Sequence, residues 1–307
     1  MTKLRLGTRG SRLAMAQAEN LKGLLEAAGV EIEIVTVRTS GDKGDRFRLG
    51  AFVGELQTAL LEKRIDLALH CLKDVPTIAV PGLCFIAHLK RGDPRDTVIT
   101  RGEDWRHLPG GAIVGTGSLR RTSQIRRIVH GMEYRPLIGN VDTRLRKLSD
   151  GEYDAIVLAK AGLDRLEWTF GDSVLGFPGL KVQPLSAEEL TPAPGQAVLV
   201  IEARVDDSTA WDAARFLNDP VTEVCATAER SFLAEFGTGC SMPIGALASK
   251  TEAGYEILGR IVSPDGASAL DSVGKWKAGD PEQMGVTLAD DLIARGARDL
   301  LPEEALL

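Results

Sequence analysis

Apolar and polar residues alternate in KLRLG (Lys3–Gly7), the period of a half-buried strand. GTRGS follows as a turn whose Ser11 is placed to cap a helix. RLAMAQAENLKGLLEAAG then carries apolar residues at helical spacing and stops at Gly29. The β-branched run EIEIVTVR returns as a strand, completing a β-α-β unit. The same pattern recurs with AFVGELQTALLEKR as helix, IDLALH as strand and CLKDVPT as loop. Parallel α/β is the economical class for such alternation.

After GLCFIAHLKRGDPRDTVIT the pattern restarts. AIVG, MEYRPLI and YDAIVLA are strands, separated by the helices LRRTSQIRRIVH and NVDTRLRKLSDG. The turn-rich SAEELTPAPGQ leads into AVLVIEARV, an apolar strand suited to rejoining the first sheet. A chain that leaves a lobe and re-enters it makes two crossovers and leaves a cleft between lobes. From WDAARFLND onward, two helices precede strands about IGALASK, YEILGRIV and SALDSVGKW, and a helix closes the chain, so strand and helix are segregated as in an α+β domain. The expected division is 1–92 with 195–214 as a first α/β lobe, 93–194 as a second, and 215–307 as a small α+β domain.

Composition narrows the class. With 307 residues, 44% hydrophobic and 26% charged, the chain has ordinary globular usage. No apolar run approaches a membrane span, and MTKLRLGTRGSRLAM lacks the apolar core of a signal peptide, so a cytoplasmic protein without a membrane partner is expected. Cys71, Cys84, Cys225 and Cys240 are widely spaced and include no C-x-x-C pair, which favours reduced thiols over a disulfide framework or a metal knuckle. The net charge of −6 makes nucleic acid an unsuitable partner, and any anion site must be a local gathering of Arg and Lys.

Such a gathering exists in GTGSLRRTSQIRR. A glycine turn opening a helix presents backbone N–H groups, and Ser118, Arg120 and Arg121 in the first turn add charge-assisted donors for carboxylate or phosphate. The alternative is a capped helix with a solvated basic face. Arg126 and Arg127, further along, are expected to be mostly solvated. Equivalent strand-to-helix junctions hold Arg9 with Ser11 and Thr143 with Arg144, and three such junctions converging on one crevice point to a polyanionic ligand. HCLKDVP places Lys73 and Asp74 at the same edge. A carboxylate beside cations stays ionised and can stabilise a cationic intermediate or accept a proton, although a surface ion pair would also explain the pair. His70 suits a structural role at a strand end. Cys84 and Cys225 lie in apolar patterns. Cys240, in the glycine-rich GTGCSMPIG, is approachable by a bulky electrophile, and Cys71 competes with it for any covalent role.

The series LGTRGSRLAMAQA, HCLKDVPT, DPRDTVIT, GTGSLRR, GNVDTRL, GEYDAIVLAKAGL, PGQ, ATAERSFL and GCSMPIG spans nearly the whole chain and resembles the hydroxymethylbilane synthase (porphobilinogen deaminase) family. The resemblance implies two periplasmic-binding-protein-like α/β lobes around a cleft plus a small α+β C-terminal domain. It also implies a monomeric transferase of tetrapyrrole biosynthesis that joins four porphobilinogen molecules head to tail, each losing ammonia, and releases the linear product by hydrolysis. Cys240 matches the family's thioether anchor for a dipyrromethane cofactor, and Asp74 its catalytic aspartate. Lys73, Thr116, Ser118, Arg120, Arg121 and Arg144 match cofactor-binding positions; Arg9, Ser11, Gln17 and again Arg144 match substrate-binding ones. No metal is implied.

The chain departs from the family pattern at four places. FRLGAF replaces a lysine-containing GGKGLF and so puts Leu49 where a cation is common. LIGN puts Ile138 where an arginine usually precedes the glycine. PGQAV replaces G-Q-G, and Cys71 stands at a position that is commonly serine. Arg46, Arg48 or Arg135 would be the compensating cations. A two-lobed anionic-solute-binding module without covalent cofactor, and a cysteine-nucleophile hydrolase, are the competing readings; neither would carry a pyrrole adduct on Cys240.

Overall fold

The computed structural model describes residues 3–40, 50–237, 242–277 and 279–302. Through the first lobe and its exit, these form β1 (Lys3–Thr8), α1 (Arg12–Ala27), β2 (Glu31–Thr36), α2 (Gly54–Leu61), β3 (Leu67–Cys71) and β4 (Leu83–His88). The second lobe is built from β5 (Asp96–Thr100), β6 (Ile113–Gly115), α3 (Leu119–Ile128), β7 (Glu133–Arg135), α4 (Val141–Ser149), β8 (Ala155–Ala159), α5 (Lys160–Asp164), β9 (Thr169–Phe170), β10 (Ser173–Val174) and β11 (Phe177–Pro184). The chain returns through β12 (Leu199–Arg204) and α6 (Ser208–Ala214). It ends in α7 (Pro220–Ala234), β13 (Ile244–Thr251), β14 (Gly254–Val262), β15 (Ala269–Trp276) and α8 (Pro281–Ala294).

Among the described residues the first sheet runs β2-β1-β3-β12-β4, the second β7-β6-β8-β5-β11-β10-β9, and the third is the meander β13-β14-β15. β1, β2 and β3 are parallel, as are β6, β7 and β8. The crossover strands β5 and β12 lie antiparallel to their neighbours. Each lobe sheet is therefore mixed, because a strand entering from the other lobe runs against the strands that its own β-α units lay down. The expected return of AVLVIEARV to the first sheet is seen, and all six residues of β12 are buried, as a strand covered on both faces must be.

Alternation along the strands assigns the cores. In β8, Ile156 and Leu158 face one side of the sheet with Leu145, Leu148 and Trp168. Ala155 and Val157 face the other with Trp105, Val114 and Ile125. In the first lobe, Leu4 and Leu6 of β1 meet Leu21 and Leu25 of α1, while α2 covers the opposite face through Leu56 and Leu60. The small domain lays α7 and α8 on one face of its meander around Phe232, Ile257 and Leu288. Gly285 is the crossing point of those helices, since a Cβ there would sit 2.2 Å from the Ala228 carbonyl oxygen. The cap expected at Ser11 is seen, receiving the Ala14 N–H, and Asp219 and Asp280 cap α7 and α8 ahead of prolines. The extension β9-β10-β11 was not expected, because WTFGDSVLGFPGLKVQP is broken by glycine and proline and shows no sustained period.

One carboxylate joins the parts. Glu229 of α7, 0% exposed, receives Arg91 Nη1 at 2.5 Å and Nη2 at 3.0 Å. It also accepts the backbone N–H groups of Gly195 and Ala248, each at 2.7 Å. Arg91 follows β4, Gly195 lies in the return crossover, and Ala248 is in β13. Gln196 ties the two crossovers together by donating to the Pro94 carbonyl at 2.7 Å. Replacing Glu229 with Gln keeps the shape but removes the charge facing Arg91 and substitutes a donor for an acceptor. We expect Glu229→Gln to lower unfolding stability by about 3–5 kcal/mol, the scale for breaking a buried pair. Urea denaturation checks it, and a change below about 1 kcal/mol would remove Glu229 from this role.

Candidate functional site

Both lobes turn the carboxyl ends of their parallel strands toward the cleft, the usual ligand position in open α/β sheets. β1 delivers Arg9 and Ser11, and β3 delivers Lys73 and Asp74 through a short 3₁₀ turn, Leu72–Asp74. β6 delivers Thr116 and Ser118, while the segment after β7 leads to Arg144 in α4. A cavity of about 330 Å³ is lined by Arg9, Ser11, Gln17, Lys73, Asp74 and Arg144 among others. A second, of about 160 Å³, is lined by Lys73, Asp74, Ser118, Arg120, Arg121, Gln196 and Met242. Lys73, Asp74 and Arg121 belong to both walls, so the two spaces meet at Asp74. Among the described residues no group donates a hydrogen bond to the Asp74 carboxylate, which leaves it available to a ligand N–H.

Arg120 and Arg121 are not the open donors that the helix turn alone suggests. Both are buried and share Asp96: Arg120 Nη2 lies 2.8 Å from one carboxylate oxygen, and Arg121 Nη2 lies 2.6 Å from the other. Arg120 Nη1 also donates to the Thr191 carbonyl at 2.8 Å, and Arg121 Nη1 to that of Val157 at 3.0 Å. Burial would raise the Asp96 pKa, but Arg120, Arg121 and Lys73 together overcome it and hold the group at about 2. The pair is thus fixed in the wall of the second cavity, with Lys73, Arg120 and Arg121 outnumbering Asp74 and Asp96. Ser118 caps α3 by accepting the Arg121 N–H at 3.4 Å. Thr116 accepts the Ser118 N–H at 3.1 Å and supports the turn from beneath, outside the lining of either cavity.

The remaining residues each have a local account. Lys73 Nζ donates to Gln196 at 3.2 Å, and burial, followed by the nearby Arg121 charge, lowers its pKa. Gly195, at φ 73°, passes so close that a Cβ would meet Lys73 N at 3.2 Å. Arg144 Nε donates to the Gly139 carbonyl at 2.8 Å. Gln17 is buried with its amide 3.9 Å from Cys71 Sγ, and burial pushes the Cys71 thiol up. His70 is structural, as expected: its Nε2 lies 2.9 Å from Glu202, whose other oxygen receives Gln57. Cys225 is buried and Cys84 half-buried, and both are free, as is Cys71.

Cys240 lies outside the described residues, as do Leu49, Arg46 and Arg48; Met242, two residues beyond Cys240, lines the second cavity. Arg135 pairs with Glu133 at 2.9 Å on the exposed β7 and does not line the first cavity. Arg126 differs from expectation: it is half-buried, stacks over Tyr134 and donates to the Pro264 carbonyl at 2.8 Å, docking the small domain onto α3. Arg127 is exposed but also reaches that turn, at Gly266.

Sequence reasoning missed Arg12, Phe52, Arg165 and Trp168, which line the first cavity. Arg9 stacks over Phe52 at 4.2 Å and Arg12 over Trp168 at 4.7 Å, while Arg165 donates to the Ala197 carbonyl at 2.5 Å. It also missed Asp96, whose signal was present: a carboxylate opening the fully buried run DTVIT requires a cationic partner.

With this geometry in hand, residues 4–212 match the model of the porphobilinogen deaminase dipyromethane cofactor binding domain, and residues 223–294 that of the porphobilinogen deaminase C-terminal domain. A porphobilinogen deaminase of Acidothermus cellulolyticus is 40% identical over 314 residues, covering 98% of this chain and 92% of that protein. One from Syntrophobacter fumaroxidans is 41% identical over 312 residues, covering 98% and 97%. The chain belongs to the porphobilinogen deaminase family.

The Asp96 cluster yields a pH-dependent expectation. Its folded-state pKa of about 2 lies below the ordinary 3.8, so its stabilisation is complete above about pH 4 and is lost as pH falls toward 2. Asp96→Asn should therefore cost about 3–5 kcal/mol near neutrality by stranding two buried guanidinium groups. In urea titrations the gap between parent and variant should stay level above about pH 4 and narrow below it as Asp96 takes up its proton. A gap that persists unchanged to pH 2 contradicts the assignment.

Proposed function

We propose that the two joined cavities divide one reaction between them, the smaller holding the cofactor and the larger receiving each incoming pyrrole, with Asp74 at their junction. The protein is a transferase that polymerises four porphobilinogen molecules head to tail, with loss of ammonia, on a dipyrromethane cofactor, and releases hydroxymethylbilane. The single observation that carries the division of labour is the shared wall of Lys73, Asp74 and Arg121. The residues of the smaller cavity suit the cofactor: Lys73, Ser118, Arg120 and Arg121 supply cationic and hydroxyl donors for its carboxylates, with Thr116 supporting their turn. The lining reaches Met242, beside the segment that carries Cys240.

When bound through a thioether to Cys240, the cofactor supplies a nucleophilic pyrrole carbon at its free end. The chain's own residues do the rest. Arg9, Ser11, Gln17 and Arg144 orient the acetate and propionate of porphobilinogen in the larger cavity. Asp74 accepts hydrogen bonds from pyrrole N–H groups and stabilises the positive charge that develops as the aminomethyl nitrogen departs. The Asp96 pair fixes Arg120 and Arg121 before any ligand arrives, so little reorganisation accompanies binding. The lobes are assigned as 1–92 with 195–214 and 93–194, and the small domain as 215–307. Action as a monomer in the cytoplasm belongs to the same proposal.

Two measurements test it. Intact mass and peptide mapping should find the cofactor adduct on Cys240; Cys240→Ser should abolish it, and Cys71→Ser should retain it. An adduct on Cys71 would overturn the anchor. Asp74→Asn should keep the fold and the adduct but lose at least about 100-fold in turnover, a loss of roughly 3 kcal/mol in transition-state stabilisation. Near-normal turnover in a steady-state assay would remove Asp74 from the reaction.

A further inference from the structure

We propose that Arg12 binds a carboxylate of the incoming pyrrole and that Trp168 fixes its guanidinium for that purpose. Arg12 is the first residue of α1, next to the capping Ser11. A cation is poorly placed there, since a helix N-terminus carries partial positive charge, and no acidic residue occupies the first turn to offset it. Among the described residues Arg12 makes no ion pair; its contact is with the face of the Trp168 ring, at 4.7 Å. Stacking engages the flat face of the guanidinium and leaves the in-plane N–H fork free for bidentate binding.

Three of the other guanidinium groups around the cavity also donate hydrogen bonds to the protein itself. Arg121 is held by Asp96 and Val157, Arg144 Nε by Gly139 and Arg165 by Ala197. Arg12 and Trp168 both line the larger cavity, and they come from opposite lobes, α1 of the first and the segment after α5 of the second. Trp168 is 8% exposed and packs in the second lobe's core, with Phe177 at 6.2 Å between ring centroids, so it is a fixed platform. A stacked arginine, open on its fork, set beside the helix N–H groups and facing a cavity for a dicarboxylic pyrrole, is placed to take one of those carboxylates bidentately. This rests on the larger cavity being the pyrrole site.

The test compares steady-state kinetics and cofactor loading for the holoenzyme, Arg12→Ala, Arg12→Lys, Trp168→Leu and Arg9→Ala. The substrates are porphobilinogen and its two side-chain monoamides. Arg12→Ala should raise KM for porphobilinogen about tenfold, the scale of one charge-assisted bond, with kcat within about twofold and the adduct intact by mass. Arg12→Lys, charged but unable to form the fork, should recover only part of the loss, and Trp168→Leu should shift KM in the same direction by less. The parent should discriminate against one monoamide, and Arg12→Ala should discriminate much less against that same compound. An unchanged KM in Arg12→Ala, or equal discrimination by parent and variant against both monoamides, overturns the proposal. If Arg9→Ala raises KM while Arg12→Ala does not, the inference about Arg12 fails alone; if neither does, the assignment of the cavity fails with it.

Discussion

The architecture depends on a buried carboxylate that accepts four N–H groups from three directions. Glu229 is where the exit from the first lobe, the return crossover and the small domain meet, through Arg91, Gly195 and Ala248. A charge removed from water is tolerated only when paired and fully hydrogen-bonded, so each of the three segments must be in place for the others to be stable around it. The chemistry inherits this order. Gly195 precedes Gln196, which receives Lys73, and Lys73 precedes Asp74. The position of Asp74, the proposed reaction centre, is therefore tied to the small domain through the return crossover.

A second buried carboxylate performs the corresponding task in the second lobe. Asp96 opens the crossover strand β5 and clamps Arg120 and Arg121 at the start of α3. The helix is held from its other side as well, where Arg126 binds Pro264 of the small domain and Gln124 exchanges hydrogen bonds with Thr191. Arg120 and Arg121 are consequently fixed to the crossover strand β5 on one side and, through α3, to the small domain on the other. Two acidic residues that line neither cavity thus determine where the basic ones sit.

Much of this was legible in the sequence, and the unread part has one physical cause. Period and caps locate β1, α1, α3, α4 and the meander β13–β15, because each is decided by its own residues. Strand-to-helix junctions bring Arg9, Ser11, Lys73, Asp74 and Ser118 to one place, since parallel strands must end on the same side. Partners distant in sequence were not legible: Asp96 with Arg121, Glu229 with Arg91, Arg12 with Trp168. The glycine-broken extension β9–β11 was also missed, because its pairing with β5 is decided by the sheet edge it joins and not by its own pattern. For the same reason Arg126 read as solvated, when a turn from the small domain covers it.

The composition of the cleft follows from what burial does to each kind of cation. An ammonium loses its proton more readily as it is desolvated, and Lys73 shows that tendency, with burial as the leading cause. A guanidinium starts from so high a pKa that it remains charged under the same burial. A protein with a net charge of −6 that must hold a chain gaining carboxylates with every addition needs cations that persist as water is excluded. Arginine therefore dominates the walls, at positions 9, 12, 121, 144 and 165 of the larger cavity. Among the described residues the one lysine of these walls, Lys73, stands beside Asp74 and Gln196, where a carboxylate and an amide oxygen help retain its proton.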